Sequence, residues 1–152
     1  MVGLKPDPPE AEALREVARR FSARFPIMGN GDMRTRKGLK VARVLDEALR
    51  GAHPQTVLDI GCSNCIVLDT ICQALAPVYA IGIDMDESAV ASPEPERAIV
   101  IGDAPQLPIR SETIDVAICN HTYEHVPDAG ALFREIERVL KPGGIVYFAA
   151  MN

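Results

Sequence analysis

The sequence predicts an α/β fold: a doubly wound sheet of five parallel strands with helices on both faces. Two observations carry that expectation. From Thr56 onward, short β-type runs alternate with helical segments, and the runs are near-continuous in apolar residues rather than apolar at every second position. Strands covered by helices on both faces read that way, because neither face meets water. A chain of 152 residues fits one such unit.

The elements follow in order. Residues 9–25, rich in Ala, Glu and Arg, read as a helix with Pro near its start, ended by Pro26 and the Gly-Asn-Gly turn at 29–31. A second helix places Val41, Val44, Leu45, Ala48 and Leu49 at i, i+3, i+4, i+7 and i+8, an apolar stripe, with Gly51 as the residue after its end. The character changes near Ala52, His53 and Pro54. This divides the chain into a helical preface, 1–52, expected as a lid or cap, and a core, 53–152.

In the core, 56–61 reads as a strand, 64–75 as a helix, the run from Val78 as a strand, and 87–91 as a short helix cut by Pro93 and Pro95. A strand from Ala98, a loop over 106–112, a strand from Ile114, a helix over 129–140 that Asp128 can cap, and a strand from Gly144 complete the pattern. Pro142, Gly143 and Gly144 are expected to end the last helix and turn the chain into the fifth strand.

Composition narrows the class. With 47% hydrophobic residues, 24% charged residues and a net charge of -5, the chain suits a globular protein and shows no basic excess pointing to nucleic acid. The one basic cluster, Arg34, Arg36, Lys37 and Lys40, reads as the solvated side of a helix. No secretory signal or membrane span is expected, which places the protein in the cytoplasm. The cysteines at 62, 65, 72 and 119 are too few and scattered for a disulfide scaffold and are expected as free thiols.

In a doubly wound sheet, ligands bind outside the carboxyl ends of the strands, where the strand order reverses. The first strand ends in Asp59-Ile60-Gly61-Cys62-Ser63-Asn64-Cys65, a turn of small residues opening a helix, where backbone amides can hold a carboxylate or phosphate. The second ends in Asp84, 23 positions after Gly61, the spacing of an acid that accepts hydrogen bonds from ribose hydroxyls. The turn lacks the further glycines of a dinucleotide fingerprint, which disfavours NAD and FAD. The third strand delivers Asp103 and Ala104, with Asp103 suited to an adenine amino group, and the fourth delivers Asn120 and His121.

Five ordered segments, at 57–64, 82–86, 102–109, 114–128 and 140–144, make the chain resemble the class I S-adenosylmethionine-dependent methyltransferases, with their Rossmann-like sheet, in the small-molecule and quinone-biosynthesis branch. The resemblance spans 56–149. It implies S-adenosylmethionine as cofactor and methyl transfer to a small-molecule substrate. It implies that Asp59, Gly61, Cys62 and Ser63 hold the methionine part, Asp84 the ribose, and Met85 one side of the adenine. Asp103 and Ala104 would cover the adenine edge, and Asn120 and His121 would line the pocket near the sulfonium. His121, Tyr123 and His125 are the candidates for a general base, if the reaction uses one. Cys65 stands where the family usually has the last glycine of the turn. The family's last two strands have no counterpart before Asn152, so the core is expected to be truncated at its C-terminus.

Two other classes are weighed against this. A noncatalytic binding or assembly module would use the apolar fifth strand, whose edge is expected to drive self-association. The segment His121-Thr122-Tyr123-Glu124-His125 matches H-x-x-E-H, the signature of a zinc metallopeptidase, but Val126-Pro127 directly after it disfavours the continuous helix that such a site needs. Cys62-x-x-Cys65 has no second pair at metal-ligand spacing.

Overall fold

The computed structural model describes residues 31–87 and 97–150. The helix expected over 9–25 and, past Glu87, the short helix at 87–91 lie outside the described residues. The order of elements is α1 (Gly31–Leu49), β1 (Thr56–Ile60), α2 (Ile66–Leu75), β2 (Tyr79–Asp84), β3 (Arg97–Ile101), β4 (Ile114–Asn120), a 3-10 turn (Tyr123–His125), α3 (Ala129–Val139) and β5 (Leu140–Ala149). The strands form one sheet in the order β3-β2-β1-β4-β5. Every pairing is parallel, as the apolar runs predict.

The chain steps outward from β1 to β2 and β3, then returns to the other side of β1 as β4. The reversal therefore falls between β1 and β4, whose Leu58 and Ala117 are register partners. A crevice at the carboxyl ends of these two strands follows from the topology alone.

Two apolar layers sandwich the sheet. On one face Leu58, Ile60, Ile83, Ile114 and Cys119 pack with Leu132, Ile136 and Val139 of α3. On the other, Val57, Val116 and Ile118 pack with Val41 and Leu45 of α1 and with Leu68, Ile71 and Leu75 of α2. Asp128 caps α3 as expected, accepting from the Ala131 amide at 2.9 Å. At the opposite end of the sheet from the crevice, Asp115 accepts from the Gln55 and Thr56 amides, both at 2.9 Å, and from Lys141 at 2.7 Å, tying β1, β4 and β5 together.

Two expectations are corrected. The buried stripe of α1 runs through Thr35, Gly38, Val41, Ala42 and Leu45, while Val44 is 43% exposed and Ala48 also faces outward. The cause is close contact with α2: a Cβ on Gly38 would lie 2.6 Å from Thr70 Cβ, so α1 turns its smallest face to its neighbour. Second, β5 begins at Leu140, directly after α3, and not at Gly144. Leu140 pairs with Ile114 and Ile145 with Val116, so the Lys-Pro-Gly-Gly stretch forms an irregularity within the strand pairing rather than a turn before it.

Among the described residues, no helix is long and apolar enough to cross a membrane, and all four cysteines are free.

Candidate functional site

The turn after β1 is organised by β2. The amides of Gly61 and Cys62 both donate to Ile83 O, at 2.7 and 3.0 Å, and the Cys65 amide closes the turn on Cys62 O at 2.9 Å. The Ser63 amide donates to Asp84 Oδ2 at 2.7 Å, and the Asp86 amide to Oδ1 at 3.0 Å. Asp84 is thereby held in one orientation, with lone pairs of both oxygens still available to further donors. Gly61 sits at φ +79, and any side chain there would strike Thr122, whose hydroxyl donates to Ile60 O at 2.8 Å. A glycine is needed at this position for both reasons.

Asp59 lies beneath the turn and is 3% exposed. Burial, reinforced by the nearby Asp84 charge and opposed by Lys37, pushes its carboxyl up to about 7. The amine of Lys37 is held below its ordinary range, first by burial and then by Arg34. Arg34 itself donates to Ser63 Oγ at 3.1 Å and to Asn64 Oδ1. The basic cluster of α1 is thus divided: Arg36 and Lys40 are exposed, whereas Arg34 reaches the turn and Lys37 is half-buried within the charge field of Arg34 and Asp59. Their i, i+3 spacing, shared with the buried Thr35–Gly38 side of the helix, is the signal that could have found them.

A cavity of about 290 Å³ opens at the carboxyl ends of β1, β2, β3 and β4. Of the residues singled out in the sequence, Gly61, Asp84, Met85, Asp103, Ala104, His121 and His125 line it. Asp59, Cys62, Ser63, Asn120 and Tyr123 do not: Cys62 and Ser63 hold the lining residues Ile83 and Asp84 through the contacts above, Asp59 is buried behind them, and Tyr123 packs on Phe148 with ring centroids 5.1 Å apart. Ile60, Ile83, Gly102, Thr122, Val126 and Pro127, which sequence reasoning did not select as site residues, complete the wall.

The loop carrying Asp103 and Ala104 is anchored by α3. Glu135 accepts from the Leu107 amide at 2.7 Å, and Arg138, paired with Glu135, donates to Leu107 O at 3.0 Å and to Ile109 O at 2.8 Å. These two residues were also missed, since their i, i+3 spacing reads as an ordinary surface pair until the loop is seen against it.

The end of β4 differs from the turn. His121 has φ +58, uncommon for a residue other than glycine, and its amide donates to Ala149 O at 2.8 Å. Its Nδ1 lies 3.6 Å from Glu124 Oε1, too long for a hydrogen bond. Both His121 Nδ1 and Asn120 Oδ1 are buried without a hydrogen-bond partner. Such atoms are uncommon and point to a missing partner. The H-x-x-E-H segment follows the end of β4 as a bend and a 3-10 turn, not a continuous helix. Among the described residues no group of three His, Cys, Asp or Glu side chains could hold a metal ion.

Residues 58–148 match the family model described as a methyltransferase domain. A ubiquinone biosynthesis O-methyltransferase of Acinetobacter baylyi is 31% identical over 117 residues, covering 71% of this chain and 48% of the relative. Its namesake from Pseudomonas fluorescens is 35% identical over 107 residues, covering 63% and 44%. The chain spans about half the length of the curated relatives it matches. Among solved structures, an S-adenosylmethionine-dependent methyltransferase from Mesorhizobium loti superposes with a TM-score of 0.56 at 23% identity, over 66% of this chain and 50% of that one. The [4+2]-cyclase SpnF does so at 0.62 and 23%, over 70% and 42%. These structures share the fold. With more than half of its residues matched to the family model, and the sheet order, glycine turn and strand-end acids in place, the chain belongs to the methyltransferase domain family.

Proposed function

We propose that the protein binds S-adenosylmethionine in the cavity and transfers its methyl group to the oxygen of a small-molecule acceptor in the cytoplasm. The observation that carries this reading is the convergence of Asp84, Met85, Asp103 and Ala104 with His121 around one cavity at the switch point. His121 Nδ1, on a residue that lines the cavity and without a hydrogen-bond partner, supports it, since a ligand could satisfy that atom. The names of the relatives supply the oxygen acceptor.

In this proposal Asp84, oriented by Ser63, accepts the ribose hydroxyls. Met85 and Ala104 flank the adenine, and Asp103 accepts from its amino group. Asp59, Gly61, Cys62 and Ser63 shape the floor under the methionine part, and the Asp59 carboxyl, poised near neutrality, ionises when a cation approaches. Arg34 and Lys37 favour the cofactor's carboxylate, which is how residues 1–52 would serve as a lid or cap. When bound, the cofactor supplies an electrophilic methyl group on sulfur. The chain's part is to align the acceptor and exclude water, worth up to about 7–11 kcal/mol in favourable cases. His121 and His125, which line the cavity, are better placed than Tyr123 to take a proton from the acceptor.

The test is calorimetry with S-adenosylhomocysteine. It is expected to bind, and Asp84→Ala to weaken binding by about 1–3 kcal/mol through loss of a charged acceptor for two hydroxyls. Equal affinity of the two proteins would remove the ribose assignment.

A second reading, a noncatalytic binding or self-associating module, draws on β5, where Val146 and Phe148 are 45% and 40% exposed beside Phe133 at 46%. Binding of S-adenosylhomocysteine without methyl transfer to any acceptor would favour it.

A further inference from the structure

The methyl-transfer reading gives no role to the thiols of the turn. Cys62 and Cys65 are 4% and 0% exposed and lie side by side. Both thiols donate to one acceptor, Ser63 O, at 3.8 and 3.7 Å, which brings the two sulfurs together. The backbone between them forms a four-residue turn closed by the Cys65 amide on Cys62 O. Such a turn brings its end Cα atoms within about 7 Å, inside or near the range that a disulfide bridges. The space for both sulfurs comes from β2: a Cβ on Gly82 would lie 2.7 Å from Cys62 Sγ and 3.5 Å from Cys65 Sγ.

Cys65 also stands at the N-terminus of α2, where the helix dipole favours a thiolate. Its thiol is held below the ordinary range, first by the adjacent Cys62 thiol and, against burial, by the charge of Arg97, while Cys62 is pushed up by the same neighbour and by burial. The other two cysteines lack this arrangement. Burial pushes Cys72 up to about 12 and Cys119 up to about 11, so both stay protonated.

We propose that Cys62 and Cys65 are a redox-active dithiol which small-molecule disulfides oxidise to a Cys62–Cys65 disulfide, and that closing it disturbs the turn's hold on Asp84. The control of cofactor binding rests on the function proposed above. In the first step the Cys65 thiolate attacks one sulfur of the disulfide RSSR, forming a mixed disulfide and releasing RS⁻, which takes up a proton. In the second, Cys62 loses its proton, its sulfur attacks Cys65 Sγ, and the second RSH leaves. The protein gives up two electrons and two protons, and one RSSR becomes two RSH. Burial of both sulfurs means that exchange proceeds through local opening of the turn.

The link to the site is the Ser63 peptide. Its carbonyl takes both S–H groups, and its amide holds Asp84 Oδ2 at 2.7 Å. A disulfide has no S–H to donate and draws the sulfurs to about 2 Å from each other. The peptide loses both donors on one side, and Asp84 loses its fixed orientation on the other.

The experiment treats the full chain, fully reduced, with oxidised glutathione. Peptide mapping is expected to locate a Cys62–Cys65 disulfide, with amide hydrogen exchange at Ser63 and the dissociation constant for S-adenosylhomocysteine each rising by about tenfold or more. Dithiothreitol should reverse all three changes, Cys72→Ala should retain them, and Cys65→Ala should show none. Absence of this disulfide, or a disulfide that leaves Ser63 exchange and ligand affinity unchanged, overturns the proposal. A loss of affinity that persists in Cys65→Ala assigns the effect to another residue and does the same. If the reduced chain binds no S-adenosylhomocysteine, the cofactor reading alone falls, because disulfide formation and Ser63 exchange are read without ligand.

Discussion

The two sides of the cavity solve the same problem differently. At the β1 turn, the amides of Gly61, Cys62, Ser63 and Cys65 all have protein acceptors, so the turn is set before any ligand arrives. At the end of β4, His121 holds a left-handed backbone, and two buried polar atoms, Asn120 Oδ1 and His121 Nδ1, have no hydrogen-bond partner. The comparison teaches that one wall is preorganised and stabilises the fold, whereas the other retains a desolvation penalty that a ligand can relieve.

The sharpest way to break the comparison is at the contact between the walls. Gly61→Ala forces a side chain into φ +79 and against Thr122. It is expected to lower unfolding stability by about 2–4 kcal/mol, the sum of a left-handed backbone and a local clash. Urea unfolding checks this, and a loss below half a kcal/mol would show that the walls are not locked together.

The next effect is smaller and depends on pH. An unfolded Asp titrates near ~3.9, whereas Asp59 in the fold is raised to about 7. Between those values the native state binds more protons than the unfolded state, so this residue makes stability fall as pH rises from about 4 to about 7, and level off above. Its contribution is greatest below the lower value, the reverse of a salt-bridged carboxylate. Asp59→Asn should flatten that slope and raise the stability of the ligand-free chain at pH 8 by about 1–3 kcal/mol, while weakening S-adenosylhomocysteine. Thermal melts from pH 4 to 8 with and without the ligand separate the two effects.

The smallest expected change in stability sharpens the contrast. Because Asn120 Oδ1 has no hydrogen-bond partner and adjoins His121 of the cavity wall, Asn120→Ala should shift the stability of the ligand-free chain by less than about 1 kcal/mol, yet reduce affinity for S-adenosylhomocysteine by about tenfold through the neighbouring wall. A large loss of stability with unchanged affinity would mark Asn120 as a structural residue instead.

The sequence by itself determined the sheet, because parallel strands buried on both faces leave apolar runs that no surface element would carry. It also determined that Asp84, Asp103 and His121 lie at the carboxyl ends of strands, beside the crevice that a doubly wound strand order opens there. The bounds of β4 and the Asp128 cap were legible for the same local reasons. Tertiary structure alone decided which side of α1 is buried, because the choice between Val44 and Gly38 depends on how near α2 can come and not on hydrophobicity. It decided that Leu140 enters the sheet at once, since pairing with Ile114 outweighs the turn preference of Pro142 and Gly143. It also decided the polar contacts between distant segments: Arg34 with Ser63, Glu135 and Arg138 with the Asp103 loop, and two thiols on one carbonyl. Each joins residues whose local sequence reads as an ordinary surface or turn, and a hydrogen bond across the fold leaves no periodic trace in the chain.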